Sequence, residues 1–84
     1  MNRTKRIKNI LQNHMLEFDI CIIDNSHSHK GHSNFNGVGE THILIELNKK
    51  TNLVINRLAI HKKINFLLKK EFTMGLHSLQ IKII

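Results

Sequence analysis

The sequence is poor in cysteine, in acidic side chains and in long apolar runs. Cys21 is the one cysteine among 84 residues, which excludes an internal disulfide and a metal site built of cysteines from this chain alone. No apolar run approaches the ~20 residues of a membrane-spanning helix, so we expect no span. The six acidic residues are scattered and form no nucleophile–base–acid constellation, so we expect no enzymatic activity. A lone cysteine suits the reducing cytoplasm, where we expect the protein to act.

Basic side chains are, in contrast, abundant. Thirteen Lys and Arg against six Asp and Glu give a formal charge of +7. A charge of this size is typical of proteins that bind phosphate groups or an acidic partner. The alternative explanation is a general bias in composition, because Ile, Lys and Asn together supply 33 of the 84 residues. Both interpretations stay open on composition alone.

The first half of the chain predicts a helix and two strands within a single domain, residues 1–84. Apolar residues recur at helical spacing over about 4–16, which predicts a helix with one face on a sheet. The segment 18–24 is short and rich in apolar and β-branched residues, which predicts a strand with Cys21 buried in it. Residues 40–47 alternate, which predicts a second strand, antiparallel to the first, with Ile43, Ile45 and Leu47 on one face.

The second half predicts a helix followed by a strand. The apolar stripe of this helix consists of Ile60, Ile64, Leu67 and Leu68. Gly75 is placed to end the helical region, and residues 77–83 alternate as a third strand. A right-handed crossover would set this strand parallel to the second. We therefore predict an α+β fold of order α-β-β-α-β, a three-stranded mixed sheet with both helices packed on one face.

Residues 25–39 form a polar loop between the first two strands, and it contains His27, His29 and His32. Three imidazoles on one surface loop could bind a metal ion or cluster, and a mononuclear zinc site is one form of this hypothesis. Solvated loop histidines would have the same pattern. The loop therefore indicates a metal site only in combination with other residues.

Four motifs, in this order, resemble the BolA family. They are Asp24-Asn25-Ser26-His27-Ser28-His29, Gly39-Glu40-Thr41-His42, His61-Lys62 preceded by Arg57, and Gly75-Leu76-His77-Ser78-Leu79. The resemblance covers nearly the whole chain. It implies a fold similar to the type II KH fold, which agrees with the predicted order of helices and strands.

The resemblance also implies a function, that of a non-enzymatic adaptor in iron–sulfur cluster assembly and trafficking. Such a protein shares a [2Fe–2S] cluster with a monothiol glutaredoxin, whose cysteine and a glutathione thiolate bind one side. Carried over to this sequence, the ligands on the other side are His77 and His29, with His32 and then His27 as alternatives to His29. No cofactor is expected in the isolated chain. Whether the chain forms a homodimer when alone stays open.

A basic helix face supports an alternative function, that of a nucleic-acid-binding transcriptional regulator. Its residues are Lys62, Lys63, Lys69 and Lys70, with Phe66 among them. Such a row is most often a solvated helix face, but it could also contact phosphate and give weak DNA binding. The Gly-x-x-Gly clamp of KH domains is absent from the sequence. His42 and His61 are expected to be structural.

Overall fold

The structure is a computed structural model that describes residues 2–26, 41–52 and 54–84. Its elements are α1 (Arg3–His14), β1 (Phe18–Asp24), β2 (His42–Lys49), α2 (Arg57–Leu67), α3 (Lys69–Thr73) and β3 (Ser78–Ile83). The predicted α+β class is confirmed. The region predicted as one helix is divided, because the backbone leaves the α-helical conformation at Leu68, which ends α2 and precedes α3. Within the described residues, no helix is long and apolar enough to cross a membrane.

The three strands form one mixed sheet in the order β1-β2-β3. β1 pairs antiparallel with β2, and Ile20 lies opposite Leu47. β3 pairs parallel with β2, and Ile45 lies opposite Ile81. Both pairings agree with the prediction, and they place the central strand β2 between two strands that come from opposite ends of the sequence.

The core lies between one face of this sheet and the two longer helices. Ile43, Ile45 and Leu47 of β2 are buried, while their alternate neighbours are not, which confirms the predicted phase of this strand. α1 buries Ile7 and Leu11 against the same cluster. From the predicted stripe of α2, Ile64 and Leu68 are fully buried, and Ile60 and Leu67 pack against them partly buried. The apolar residues that recur at helical spacing and those that alternate along the strands thus pack into one core.

Cys21 is exposed, and the prediction of a buried cysteine was wrong. Successive side chains of a strand point to opposite faces of the sheet. Phe18 and Ile20 are buried towards the helices, so Cys21 shares the other face with Asp19. The helices are packed on one face only, which leaves that second face open at Cys21.

A buried ion-pair cluster joins α1 to α3. Glu71 is 3% exposed, and it accepts hydrogen bonds from Arg3 Nε at 2.9 Å and from Arg6 Nε and Nη2, each at 2.9 Å. Arg3 also donates from Nη2 to the carbonyl of Met74 at 2.6 Å. The ion pairs therefore hold the start of α1 against the turn that leads into β3.

Gly75 ends the helical region as predicted, with a φ of +112°. Residues with a side chain rarely adopt this conformation. The turn directs the chain from α3 to the start of β3, where His77 lies.

Candidate functional site

The candidate site is the edge of the sheet at which three strand ends meet. β1 is antiparallel and β3 parallel to β2, so the end of β1 and the starts of β2 and β3 lie side by side. The backbone N–H of Asn25 donates to the carbonyl of His42 at 2.8 Å, and that of His77 donates to the carbonyl of Thr41 at 2.8 Å. Since neighbouring strands lie ~4.8 Å apart, His77 and the end of β1 are about 10 Å apart across β2.

Ser26 connects the end of β1 to the start of β2. It is 1% exposed, and its hydroxyl donates to Asp24 Oδ1 at 2.6 Å. The same Ser26 Oγ accepts the backbone N–H of Thr41 at 2.9 Å and that of His42 at 3.3 Å. The backbone N–H of Ser26 also donates to Asp24 Oδ1, at 2.9 Å, which closes an Asx turn. Hydrogen bonds therefore join the start of the histidine loop (residues 25–39) to Thr41 and His42, which follow the loop.

Two histidines lie next to each other at this edge. The ring centroids of His42 and His77 are 5.2 Å apart, and the ring planes are inclined by 53°. Nδ1 of His42 is 2.9 Å from Oγ1 of Thr41. His42 is partly buried and His77 is exposed, so His77 presents an accessible imidazole at the sheet edge.

The predicted ligands from the loop, His29 and its alternatives His32 and His27, lie outside the described residues. Their assignment stays a prediction, and so does the zinc hypothesis. In the described part of the chain, no three His, Cys, Asp or Glu side chains come together in a group that could hold a metal ion.

The lysines of the alternative hypothesis lie on other elements, α2 and α3. All four, Lys62, Lys63, Lys69 and Lys70, are exposed. Lys63 Nζ donates to the carbonyl of His14 at 2.9 Å, which links α2 to the end of α1. Phe66, between the two lysine pairs, is 74% exposed. These side chains therefore form an accessible basic face with an aromatic residue within it.

Sequence reasoning missed the hydrogen bonds that connect His42 through Thr41 and Ser26 to Asp24. His42 was expected to be structural on a strand face, but its contact with His77 was not predicted. Asp24 and Ser26 entered as parts of motifs, and Thr41 was also placed in the second strand, on the face of Ile43, whereas β2 begins one residue later, at His42. The spacing Asp-x-Ser before the loop is a signal for an Asx turn. The hydrogen bonds from Thr41 and His42 to Ser26 depend on how β1 and β2 pair. No local sequence pattern determines that pairing.

Fold and site together define a class of protein: an α-β-β-α-α-β domain with a mixed sheet and an exposed histidine before its last strand. The family model described as BolA-like protein matches residues 7–84. That match covers most of the chain, and the chain belongs to the BolA-like family.

Two solved plant structures share the fold. BolA1 from Arabidopsis thaliana superposes with a TM-score of 0.78 at 30% identity, covering 99% of this chain and 90% of that protein. The BolA domain of SufE1 from Arabidopsis thaliana gives a TM-score of 0.78 at 28% identity, covering 99% and 91%. The whole described architecture is therefore shared with BolA domains.

Two sequence relatives come from a bacterium and a yeast. A Sinorhizobium protein, described as an uncharacterized protein in the cobS 5′ region, is 39% identical over 62 residues, which cover 73% of this chain and 67% of that protein. The UV-induced protein uvi31 of Schizosaccharomyces pombe is 34% identical over an alignment that covers 96% of this chain and 82% of that protein.

Proposed function

We propose that this chain is a cytoplasmic, non-enzymatic adaptor that shares a [2Fe–2S] cluster, as cargo, with a monothiol glutaredoxin. In this proposal His77 and His29 are its two ligands, with His32 as the alternative to His29. The observation that supports it most is the position of His77, an exposed residue whose backbone N–H bonds to Thr41, which in turn bonds to Ser26 at the start of the histidine loop. His29 follows Ser26 by three residues, a reach of up to about 10 Å of extended chain.

The chemistry of the side chains fits a shared cluster. A [2Fe–2S] cluster needs four protein or thiol ligands, and imidazole can replace thiolate on one of its irons. Two histidines from this chain would serve one iron, and the glutaredoxin cysteine with a glutathione thiolate would serve the other. His77 directly precedes β3, and its backbone is fixed by Thr41, while the second ligand would come from a loop.

The test is reconstitution with a monothiol glutaredoxin, glutathione, iron and sulfide, followed by visible absorption and circular dichroism. We expect a coloured heterocomplex with the wild type. His77→Ala should reduce the bound cluster by at least about ten-fold, because a ligand matters at least as much as the residues that orient it. His61→Ala, which removes a partly buried histidine of α2, is the matched control and should behave as wild type.

The same experiment on His29→Ala and His32→Ala identifies the loop ligand. Loss of cluster in one variant and not in the other assigns the second position. Identical spectra for the wild type and His77→Ala would refute the ligand assignment.

A second candidate function, binding of nucleic acid, is supported by the basic face of α2 and α3. Lys62, Lys63, Lys69 and Lys70 are exposed around Phe66. Glu71 is the one acidic residue in the stretch 47–84, and it is buried in ion pairs with Arg3 and Arg6. The face is therefore not neutralised by a nearby exposed carboxylate of its own segment. A phosphate backbone is the partner that this charge would attract.

A further inference from the structure

We propose that His42 is a positioning residue for His77, which it holds in one ring orientation through direct contact. An exposed side chain at the start of a strand can occupy several staggered rotamers. A ligand that must meet a partner-held cluster benefits from being held in one of them. The importance of this orientation for cluster binding rests on the proposed function, whereas the orientation itself is a property of the isolated chain.

Hydrogen-bond donors and acceptors determine how the His42 ring is held. Ser26 donates its one hydroxyl hydrogen to the Asp24 carboxylate at 2.6 Å. The Ser26 oxygen accepts the backbone N–H groups of Thr41 and His42 at 2.9 and 3.3 Å, and Oγ1 of Thr41 lies 3.3 Å from it. Oγ1 of Thr41 is 2.9 Å from Nδ1 of His42, and because a hydroxyl group can donate to this nitrogen or accept from it, the ring is hydrogen-bonded in either tautomer.

This chain of hydrogen bonds runs from the His42 ring through Thr41 and Ser26 to the carboxylate of Asp24. Its link between Thr41 Oγ1 and His42 Nδ1 holds the plane of the His42 ring. In many metal sites a histidine is oriented in this way by a hydrogen-bonding group behind its ring. Here the chain ends at Asp24, the last residue of β1.

The fixed ring of His42 lies against the ring of His77. The centroid separation of 5.2 Å and the inclination of 53° fall in the range of favourable tilted aromatic contacts. The residue before His42 also holds the backbone of His77, because the carbonyl of Thr41 accepts its N–H at 2.8 Å. The dipeptide Thr41-His42 thus fixes both the backbone and the ring of His77.

The first test uses the isolated chain, labelled with ¹⁵N-histidine, and NMR of the imidazole rings. We expect His42→Ala to shift the ring protons of His77 and to average its χ1 coupling, whereas His42→Phe, which keeps an aromatic ring at this position, should preserve one rotamer. Thr41→Val should move the Nδ1 resonance of His42 and leave the backbone intact. His61→Ala is the control and should leave His77 unchanged. An unaltered His77 ring in His42→Ala would overturn the proposal.

The second test measures the rate at which the heterocomplex with a monothiol glutaredoxin loses its cluster. His42→Ala should lose it about ten-fold faster than the wild type, the lower end of the range for residues that orient a ligand. His42→Phe should restore most of the difference. If both His42 variants fail as completely as His77→Ala, His42 is a ligand and the positioning role is wrong.

The two tests separate this proposal from the proposed function. If the wild type takes up no cluster with the glutaredoxin, the adaptor function fails, and the NMR test alone decides whether His42 orients His77. If His42→Ala does not fold, His42→Phe and Thr41→Val still decide it, since each alters one part of the contact. A wild-type rate of cluster loss in Thr41→Val, together with an unchanged His77 ring, would overturn the role of the hydrogen-bond chain.

Discussion

Glu71 is a buried carboxylate whose ionisation contributes to the stability of the fold. Hydrogen bonds from Arg6 and then Arg3, together with the positive charge of both guanidinium groups, lower the pKa of Glu71 from its ordinary 4.5, although burial opposes this shift. A carboxyl group with a depressed pKa in the folded state stabilises that state above its unfolded pKa. The stabilisation is lost as the pH falls through the folded value.

We predict that Glu71→Gln lowers the free energy of unfolding by about 2 kcal/mol at pH 7. The estimate is below the 3–5 kcal/mol typical of a broken buried ion pair, because Arg6 is partly exposed. The difference from wild type should shrink as the pH falls below about 4.5, since protonation removes the same charge. Urea denaturation at neutral and acidic pH measures it. Glu17→Gln, at an exposed position, is the control, and a difference that does not change with pH would contradict the prediction.

Cys21 and Glu71 show why the surroundings of single residues could not be predicted from the sequence. Cys21 lies in a run of apolar residues, Ile20 to Ile23, in which no alternation indicates which side chains face the helices. Glu71 is more than 60 positions away from both of its partners along the chain. Ion pairs of this kind depend on the packing of α1 against α3, and neither helix carries a local signal for the other.

The helices and strands were more predictable than the contacts between them. β1 was predicted with its observed limits, and Gly75 ends the helical region as its position indicated. β2 begins at His42 and extends to Lys49, two residues later than predicted at each end, because Lys49 still pairs with Phe18. α1 ends at His14, and Met15 is buried beyond it. Alternation fixes the faces of a strand, whereas its pairing partner fixes its ends.

The basic face of α2 and α3 gives a prediction for the nucleic-acid alternative. If the four lysines contact duplex DNA, raising the salt from 50 to 200 mM should weaken binding on the order of 100-fold. Lys62→Glu with Lys69→Glu should abolish it, because both side chains are exposed on this face. Fluorescence anisotropy with a labelled duplex measures both effects.

The matched control for that experiment is Lys49→Glu with Lys50→Glu, which changes the net charge equally at exposed positions outside α2 and α3. Equal loss of binding in the two double variants would show that only net charge matters. Binding that does not depend on salt would exclude the lysine face as a phosphate-binding surface.

In the whole molecule, the charge is unevenly distributed along the chain. Residues 1–46 contain five basic and five acidic residues, whereas residues 47–84 contain eight basic residues and one acidic residue. The first segment is therefore neutral, and the second carries the whole formal charge of +7. The histidine loop belongs to the neutral segment, whereas His77 and the lysine face both belong to the basic one.

The candidate site could be predicted only in part, because its assembly depends on the order of the strands in the whole sheet. Composition marks the loop, and alternation marks the strand before which His77 lies. Only the sheet order brings Ser26, at the start of the loop, to the same sheet edge as His77, because β3 returns beside β2 after two helices. The prediction that His77 and the loop form one site came from the motifs shared with the BolA family, because periodicity alone does not determine it.

The most direct test of the central claim labels only this chain with ¹⁵N-histidine and examines the reduced [2Fe–2S] heterocomplex with unlabelled glutaredoxin by electron spin-echo spectroscopy. We predict couplings from two ¹⁵N nuclei of this chain, with one coupling lost in His77→Ala. A cluster spectrum without any ¹⁵N coupling would show that this chain provides no imidazole ligand, and it would contradict the proposed function.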